Sequence, residues 1–557
     1  MFFSAVRTPF MLDDYMHATM VDGRAGLRRD PSALYDFVND RDRSTMLERG
    51  LLPWWSHPQL KIRFFRPIPS ALRFYEERLI GGRNQGPAVV AMHLHSMLWW
   101  LAAIVLCGVW YRRLFPAPVA TLATAMFALG PWHVLPIAWL ANREVLLSIV
   151  FGIPALMSYA TWRERGAFRD VALSALCFAL AFGCGEYSFC LGGFVIAYEM
   201  SYRRARWWLG PMPFALPALA YLVVRARGGY GSFGSAFYAD PLREPLKILR
   251  LVPERLTTLL AEGWLTLGTD AWGTTAPRWI VVSLVIIATV TLTVALRRTF
   301  AELAPETRQH AVYLLLGSFG ALAPVIAVVP APRLLGISAL GMSPVIALLV
   351  HRGWFPATVQ PRRGSAEVAA VMATIMGFLH LVHGPIAAMM ASSNLQASAS
   401  AYTVTVSALV TRMSRHPVEE VQITRGAAGA FFGPFALAME GASPHRWHVL
   451  AQSPHVLALR PDDKTLELVA SAADGLYPDG PGNLFRDRSH PLTVGDRIQM
   501  PGFEVEIMQI GDHGPTRARF HFAEALDSSR YLWISERYAG LTVEKLPRQG
   551  FGEPFDP

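Results

Sequence analysis

Two adjacent carboxylates stand near the start of the chain. Asp13 and Asp14 lie in "FMLDDYMHATM", well before the first long apolar stretch. A carboxylate can take a proton from an attacking hydroxyl group, and it can also hold a cation or bind an arginine. Asp is equally common at the start of a helix, and "YMHATM" could form that helix. From these residues alone, catalysis and helix capping both remain open.

The composition indicates a membrane protein. Hydrophobic residues make up 52% of the chain and charged residues only 17%, which is more apolar than one soluble core requires. In 170–201 we expect two short helices that meet at Glu186, which brings the predicted total to about ten spans. The other stretches long enough to cross a membrane are 88–110, 117–139, 143–161, 207–225, 278–296, 311–330, 334–351 and 366–391.

Arginine-rich connections set the predicted orientation, because short cytoplasmic loops retain Lys and Arg. Such connections alternate along the chain, so we place them all on the inside. They are 111–115, 162–169, 202–206, 296–308 and 351–363. Residues 1–87, 226–277 and everything after 391 are then expected outside. The formal net charge of +9 is attributed to this topology, and no nucleic-acid partner is expected.

The long first outer loop, about 1–87, belongs to a multi-span membrane domain predicted over 1–391. Stretches 60–82 and 241–263 alternate apolar with charged residues, as helices lying in the membrane interface do. The opening "MFFSAVRTPFM" is too short to span a membrane. A first transmembrane helix missing before it is therefore a hypothesis.

Ionisable residues also occur near the predicted outer ends of the spans. Such residues are expensive inside a membrane and tend to face a cavity or a partner. A single one is often only an anchor at the interface. Their clustering on the side of the acidic pair favours a site, above all for Arg143 and Glu186. The set comprises His93, His95, His133, Arg143, Glu144, Glu186 and Arg333.

The order of these features resembles the amino-terminal half of polytopic GT-C-fold glycosyltransferases, which include the protein O-mannosyltransferases and their bacterial relatives. The motifs are "FRPIPSALRFYEERLIGG", "ALGPWHVLPIAWLANREVLLSIVF" and "GEYSFCLGGFVIAYEM", and the resemblance covers about residues 10–201. It implies an inverting transfer of a sugar from a polyprenyl-phosphate carrier to an acceptor on the outer face. It also implies an Asp of the first outer loop in the active site.

Carried onto this chain, the resemblance makes Asp13 or Asp14 the catalytic general base and assigns the phosphate of the carrier to Arg66 or Arg143. Relatives often have Lys where this chain has Gly185, which puts a lysine contact to phosphate in doubt. Whether a divalent cation serves as cofactor stays open. The predicted substrate-binding residues are Arg66, His93, Arg143, Glu186 and Arg333.

Residues 392–557 are predicted to form a separate, extracytoplasmic, β-rich domain. A polar linker "SSNLQASAS" and a helix near 401–415 precede six strand-like segments. "RPDDK" is typical of a hairpin turn, so the pair Asp462–Asp463 is interpreted as turn chemistry. We expect this domain over the mouth of the cavity, contributing to acceptor binding.

The predicted fold is thus an α-helical polytopic membrane protein, GT-C-like, with a C-terminal extracytoplasmic β-rich domain, in a bacterial inner membrane. Its partners would be membrane lipid, a polyprenyl-phosphate sugar donor and a protein or glycan acceptor. The alternative is a non-catalytic membrane protein, either a transporter of a lipid-linked glycan or an assembly scaffold whose outer domain binds a partner. A transporter should place charges along a path near the bilayer midplane, whereas a transferase should keep them at one surface.

Overall fold

A helical bundle is followed by a β-rich region in the computed structural model. It describes all residues except 1, 82–85, 204–206, 239, 242–243, 269–277, 356–362, 417, 454, 472–473, 478–479, 481, 538–539, 551 and 555–557. The α-helices are α1 (Asp13–Asp22), α2 (Arg43–Glu48), α3 (Pro67–Glu76), α4 (Pro87–Leu114), α5 (Ala117–Leu129), α6 (Val134–Ala138), α7 (Glu144–Arg165), α8 (Phe168–Cys184), α9 (Leu191–Tyr202), α10 (Met212–Arg227), α11 (Pro245–Leu265), α12 (Arg278–Ala301), α13 (Pro305–Gly320), α14 (Gly336–Trp354), α15 (Arg363–Phe378), α16 (Gly384–Arg415) and α17 (Ala428–Met439).

The strands form three sheets. The first has the order β1-β2-β3, the second β13-β6-β7-β10-β9-β8, and the third β12-β11-β4-β5. The strands are β1 (Asp36–Val38), β2 (Lys61–Arg63), β3 (Gly231–Phe233), β4 (Glu420–Arg425), β5 (Arg446–Val449), β6 (Val456–Leu459), β7 (Thr465–Ala470), β8 (Arg497–Met500), β9 (Phe503–Gly511), β10 (Gly514–Phe522), β11 (Tyr531–Arg537), β12 (Gly540–Val543) and β13 (Gly552–Pro554). The small first sheet joins the first outer loop to the segment that follows α10.

Each stretch predicted to span the membrane contains a helix, although residues 207–211 and 328–330 of two predicted spans lie outside the helices. Six helices in the described part of the chain are long and apolar enough to cross a membrane, and a seventh appears if α5 and α6, bent by 48°, count as one span. The helices α8, α9 and α10 have 17, 12 and 16 residues, fewer than the roughly 20 that a span needs. As predicted, α8 ends just before Glu186, and a short 3-10 turn leads into α9.

One end of the bundle gathers the arginine-bearing connections. Arg163 in α7 forms an ion pair of 2.7 Å with Glu199 in α9. Near it, Tyr202 at the end of α9 hydrogen-bonds to His310 in α13 at 2.5 Å. Since α7 and α9 both end here, the start of α7 and the break between α8 and α9 lie at the opposite end. That opposite end contains the candidate site.

The β-rich region and the first outer loop share one hydrophobic core. Trp54 and Trp55 of the loop are buried with Tyr477 and Phe520, and α1 packs against α17. The Trp54 indole N–H donates to the carbonyl of Leu450 at 2.9 Å. The C-terminal region is thus packed directly on the loop that carries the acidic pair.

The six strand-like segments after residue 418 are confirmed as β4 to β11. The "RPDDK" turn joins β6 to β7, which pair antiparallel, and Asp462 accepts the N–H of Lys464 at 2.8 Å as a turn residue does. The linker prediction for 392–400 is wrong, because these residues lie inside α16; their Ala, Ser, Gln and Asn side chains extend the helix beyond the apolar stretch. The helix α17, which connects the parallel strands β4 and β5, was not predicted. The domain boundary at 391/392 stays a prediction.

Candidate functional site

The predicted site residues meet at the end of the bundle away from the arginine-bearing connections. The start of α1, the residue before α3, the start of α7, the break after α8 and the turn before α14 supply them. Arg66 contacts both Glu144 and Glu186. The charges of Arg66 and Arg333 both act on Asp13. Helix ends that are far apart in the sequence therefore face one space.

The carboxylate of Asp13 is available for a ligand. It is the first residue of α1 and only partly buried, and among the described residues its oxygens have no hydrogen-bond or ion-pair partner. Burial, followed by repulsion from Asp14, raises the pKa of Asp13 to about 7, although Arg333 and Arg66 lower it. A carboxyl group with a pKa near neutrality can exchange a proton at physiological pH, as a general base requires.

Asp14 is fully buried, and its carboxylate accepts hydrogen bonds from two backbone N–H groups. Its Oδ1 accepts the N–H of Ala141 at 2.8 Å, and Oδ2 accepts the N–H of Met11 at 3.1 Å. Burial raises the pKa of Asp14 to about 6, although Arg73 and the two N–H donors lower it. These bonds also hold Leu12 at φ +44°, an uncommon conformation for a residue other than glycine. Asp14 therefore fixes the start of α1, whereas Asp13 faces the open space.

Arg66 is held between two glutamates. Its Nη1 donates to Glu144 Oε1 at 3.0 Å, and its Nε and Nη2 donate to the two oxygens of Glu186. The rings of Tyr35 and Phe64 lie 4.9 and 4.8 Å from the guanidinium carbon. Although burial alone would lower it, the Arg66 pKa is held well above its usual value by the glutamates. Arg66 thus links the first loop to α7 and to the break after α8.

Gly185 allows Arg66 to reach Glu186. The glycine has φ +131°, and a Cβ placed there would lie 2.9 Å from Cγ of Arg66. A lysine at this position, as in many relatives of the resembled family, would need a strained backbone and would collide with Arg66. The departure noted in the sequence therefore has a geometric reason.

Arg143 and His93 are both buried. Arg143 is 3% exposed, and it donates to Glu76 at 2.9 Å, to the Ser96 hydroxyl at 2.8 Å and to the Met92 carbonyl at 2.7 Å. The ring nitrogens of His93 lie 2.9 and 2.8 Å from the backbone carbonyls of residues 137 and 8. Both side chains brace the first outer loop and its neighbours against the bundle. The structure thus leaves Arg143 and His93 no exposed donor for the predicted substrate contact.

Of the three arginines predicted to bind substrate, Arg333 is the one whose guanidinium is available for a ligand. It lies in the short turn before α14, and its guanidinium carbon is 5.3 Å from the ring centre of Trp139. Its side chain has no hydrogen-bond or ion-pair partner within the described ranges, and it is only partly buried. A guanidinium stacked on an indole keeps its edge N–H groups available for an anion.

Tyr238 also belongs to the candidate site, although the sequence analysis did not predict it. It lies in the segment after β3, partly buried, and its ring is 5.1 Å from the ring of Phe64. Burial, followed by the negative charge of Asp13, raises the pKa of the Tyr238 phenol to about 12. The sequence signal was an aromatic residue in a Gly- and Ser-rich loop, "GSFGSAFYAD", which the sequence predicts to lie outside the membrane.

The described residues contain no group of three or more His, Cys, Asp or Glu side chains placed to hold a metal ion. The charge of the buried Glu144 also acts on Asp13, and Oε2 of Glu144 has no hydrogen-bond partner among the described residues. A cation bound here would need further ligands from substrate or water.

No protein-family model matches the chain, and a search of curated proteins finds no match. Among solved structures, the oligosaccharyltransferase AglB of Archaeoglobus fulgidus, in complex with an inhibitory peptide and a dolichol-phosphate, aligns with 79% of this chain at 11% identity and a TM-score of 0.41. ArnT of Cupriavidus metallidurans, bound to undecaprenyl phosphate, aligns with 78% at 12% identity and a TM-score of 0.35.

The alignment covers 82% of the ArnT chain but only 61% of the AglB chain, so this chain spans less than two thirds of AglB. At these TM-scores and identities the alignments assign neither a fold family nor an activity to this chain, and any activity has to be inferred from the geometry of the site.

Proposed function

We propose that this chain is a glycosyltransferase that moves a sugar from a polyprenyl-phosphate carrier to an acceptor, with inversion at the anomeric carbon. The proposal rests mainly on the Asp13 carboxylate and the Arg333 guanidinium. The charge of Arg333 acts on Asp13, and neither side chain has a hydrogen-bond or ion-pair partner among the described residues. Other charged groups around them, such as Arg66 and Glu186, are already paired with each other. A base and an anion-binding group that both remain available suit a transfer in which one substrate loses a proton and the other releases phosphate.

Arg333 is proposed to bind the phosphate of the carrier. Its planar guanidinium can donate two parallel hydrogen bonds to phosphate oxygens, which also fixes the orientation of the group. The role moves to Arg333 from Arg66 and Arg143, because Arg66 is held by two glutamates and Arg143 is buried. Arg66 and Arg143 become positioning residues.

Asp13 is proposed to be the general base. Its carboxylate takes the proton of an acceptor hydroxyl or amide as the acceptor oxygen or nitrogen bonds to the anomeric carbon. The bond from that carbon to the phosphate oxygen breaks, and the electron pair leaves with the phosphate, whose charge Arg333 stabilises. Attack opposite the leaving phosphate inverts the configuration. A pKa of about 7 for Asp13 lies close to the working pH, where a general base is most efficient.

The location of the site suits a donor that is anchored in lipid. It lies at the end of the bundle opposite the arginine-bearing connections, which the sequence assigns to the cytoplasmic side. Near it, α3 and the π-helical turn after it expose Tyr75 and Leu79, which are 55% and 84% accessible. Such side chains can enter the headgroup region. We infer an active site on the outer face of a bacterial inner membrane.

The proposal is tested by transfer from labelled polyprenyl-phosphate sugars in membrane vesicles, with protein and glycan acceptors and with or without chelator. The wild-type chain should transfer, Asp13→Asn should not, and Arg333→Ala should transfer measurably but much more slowly than wild type. Asp22→Asn, an exposed residue at the far end of α1, serves as the matched control and should transfer normally. Equal transfer by Asp13→Asn and wild type would overturn the assignment and favour a non-catalytic role.

A further inference from the structure

We propose that a segment of the C-terminal region, the 483–490 strap, positions Tyr238 so that its hydroxyl group binds the acceptor next to Asp13. This inference rests on the proposed function for the identity of the bound group. It assigns Tyr238 to acceptor binding, and it makes Asn483 a positioning residue that acts through Tyr238.

The Tyr238 hydroxyl is available for a ligand. In the described part of the chain it has no hydrogen-bond partner, and the side chain is only partly buried. Asp13 is the charged group that most strongly affects the phenol, followed by Arg333. The Tyr238 ring packs on Phe64, and the Phe64 ring lies 4.8 Å from the guanidinium carbon of Arg66. From this side of the site the hydroxyl can donate to, or accept from, the acceptor group that Asp13 deprotonates. The flanking rings of Phe64 and Phe237, at 5.1 and 4.9 Å, provide an aromatic wall.

The loop that carries Tyr238 is held by the strap. The backbone N–H groups of Ala236 and Phe237 both donate to the carbonyl of Asn483, at 3.0 and 3.1 Å. Asn483 is far away in the sequence, in the C-terminal region. Because two consecutive N–H groups share one acceptor, the loop cannot shift along the strap without losing both bonds.

Asn483 shapes the strap itself. Its side chain is 2% exposed, and its Oδ1 accepts the N–H groups of Phe485 and Arg486 at 3.0 and 3.1 Å. This is an Asx turn, in which an Asn side chain replaces a backbone acceptor. The turn fixes the orientation of the Asn483 carbonyl and hence the position of the Tyr238 loop.

The strap also holds the first outer loop, which carries Asp13. The guanidinium of Arg486 donates to the backbone carbonyls of Trp55 and Ser56, the latter at 3.1 Å. The N–H of His57 donates to the carbonyl of Phe485 at 2.8 Å. One short segment therefore joins the two outer loops that supply the acidic residue and the tyrosine.

A close contact between the two loops completes this junction. Gly234 has φ +73°, and a Cβ there would lie 2.5 Å from Cγ of His57. Only glycine allows the loop after β3 to pass this close to the first outer loop. The two outer loops are thus in direct contact, in addition to being joined through the strap.

The test combines steady-state kinetics with hydrogen exchange. Tyr238→Phe should raise the KM for the acceptor about five- to tenfold, as expected for one lost hydrogen bond, and change kcat less than about twofold. Asn483→Ala should also raise this KM several-fold. In the double variant it should add almost nothing, because Asn483 acts through the Tyr238 hydroxyl. Asp462→Ala, which removes a similar turn contact at the β6–β7 hairpin, should behave as wild type.

Hydrogen exchange gives a result that does not depend on catalysis. In Asn483→Ala, the amides of 231–238 should exchange at least tenfold faster than in wild type and in Asp462→Ala. Asn483→Asp, which keeps an acceptor oxygen, should retain protection. If Asn483→Ala does not fold, Arg486→Lys gives the same comparison, since Lys cannot reach both carbonyls.

Unchanged hydrogen exchange and an unchanged KM in Asn483→Ala would refute the proposal that the 483–490 strap positions Tyr238. If the effects of Asn483→Ala and Tyr238→Phe on the KM were fully additive, Asn483 would not act through the Tyr238 hydroxyl. A wild-type chain without transfer activity would instead overturn the proposed function, while the exchange data would still decide whether the strap holds the loop.

Discussion

Replacing Asp13 by Asn should abolish transfer and, at the same time, stabilise the folded chain. The amide has nearly the same shape as the carboxylate, so the packing at the start of α1 is retained. It cannot accept the proton of the acceptor, and loss of a general base lowers the rate about 100- to 10,000-fold. The opposite effects on activity and stability distinguish a functional residue from a structural one, because a structural residue would lose both together.

The gain in stability follows from the pKa of Asp13, which burial raises from its ordinary value of 3.8 to about 7 in the folded chain. Because the folded-state pKa is raised, the carboxylate lowers stability as the pH rises from about 4 to about 7, and the full penalty is present above pH 7. A pKa difference of about 3 corresponds to about 4 kcal/mol. Since Asp13 is partly open to water, we expect about half of this value, roughly 2 kcal/mol.

The assay is chemical or thermal unfolding of purified Asp13→Asn at pH 8 and pH 5, next to the transfer assay. The variant should unfold at a higher denaturant concentration than wild type at pH 8, and the difference should shrink at pH 5. Asp22→Asn on the same helix is exposed, so its stability should change by less than about 0.5 kcal/mol. A destabilised Asp13→Asn variant at pH 8, or one that transfers normally, would refute the reasoning.

Substitutions at three further residues test the remaining roles. Arg333→Ala should raise the pKa of Asp13 further, because the positive charge that lowers it is lost, and should move the acidic limb of the kcat/KM profile to higher pH, whereas Arg333→Lys should leave the limb near its wild-type position; an unmoved limb in both contradicts the electrostatic effect of Arg333 on Asp13. Arg143→Ala should destabilise the chain by about 1–3 kcal/mol, because Glu76, the Ser96 hydroxyl and the Met92 carbonyl would lose a buried donor, although Glu76 keeps Arg73 and His95; unfolding of the variant beside wild type measures this, and a negligible loss would mean that water replaces the guanidinium. Asp14→Glu should cost about 1–3 kcal/mol through overpacking at a fully buried position, and a wild-type unfolding midpoint would argue against that packing.

The helices and strands could largely be predicted from the sequence. Apolar stretches predicted every membrane helix, including the break at Glu186, and alternating residues predicted β4 to β11. The linker at 392–400 was predicted wrongly, since polar composition does not prevent a helix that continues from an apolar one. The helix α17 was missed because "AGAFFGPFALAM" is a short apolar run, and periodicity does not separate such a run from a buried strand.

The sequence by itself determined that the chain spans a membrane, that an acidic pair precedes a long loop, and that the polar residues cluster at one end of the helices. These are local properties, because span length and the period of apolar residues depend on neighbours in the chain. Only the tertiary structure decided that Asp13 is open and Asp14 buried, that Arg333 rather than Arg143 is available, and that Tyr238 joins them. The physical reason is that the exposure and pairing of a side chain depend on groups brought together from distant segments. The Ala141 N–H donates to Asp14, and the Glu76 carboxylate pairs with Arg143. The Asn483 carbonyl accepts two N–H groups of the loop that carries Tyr238.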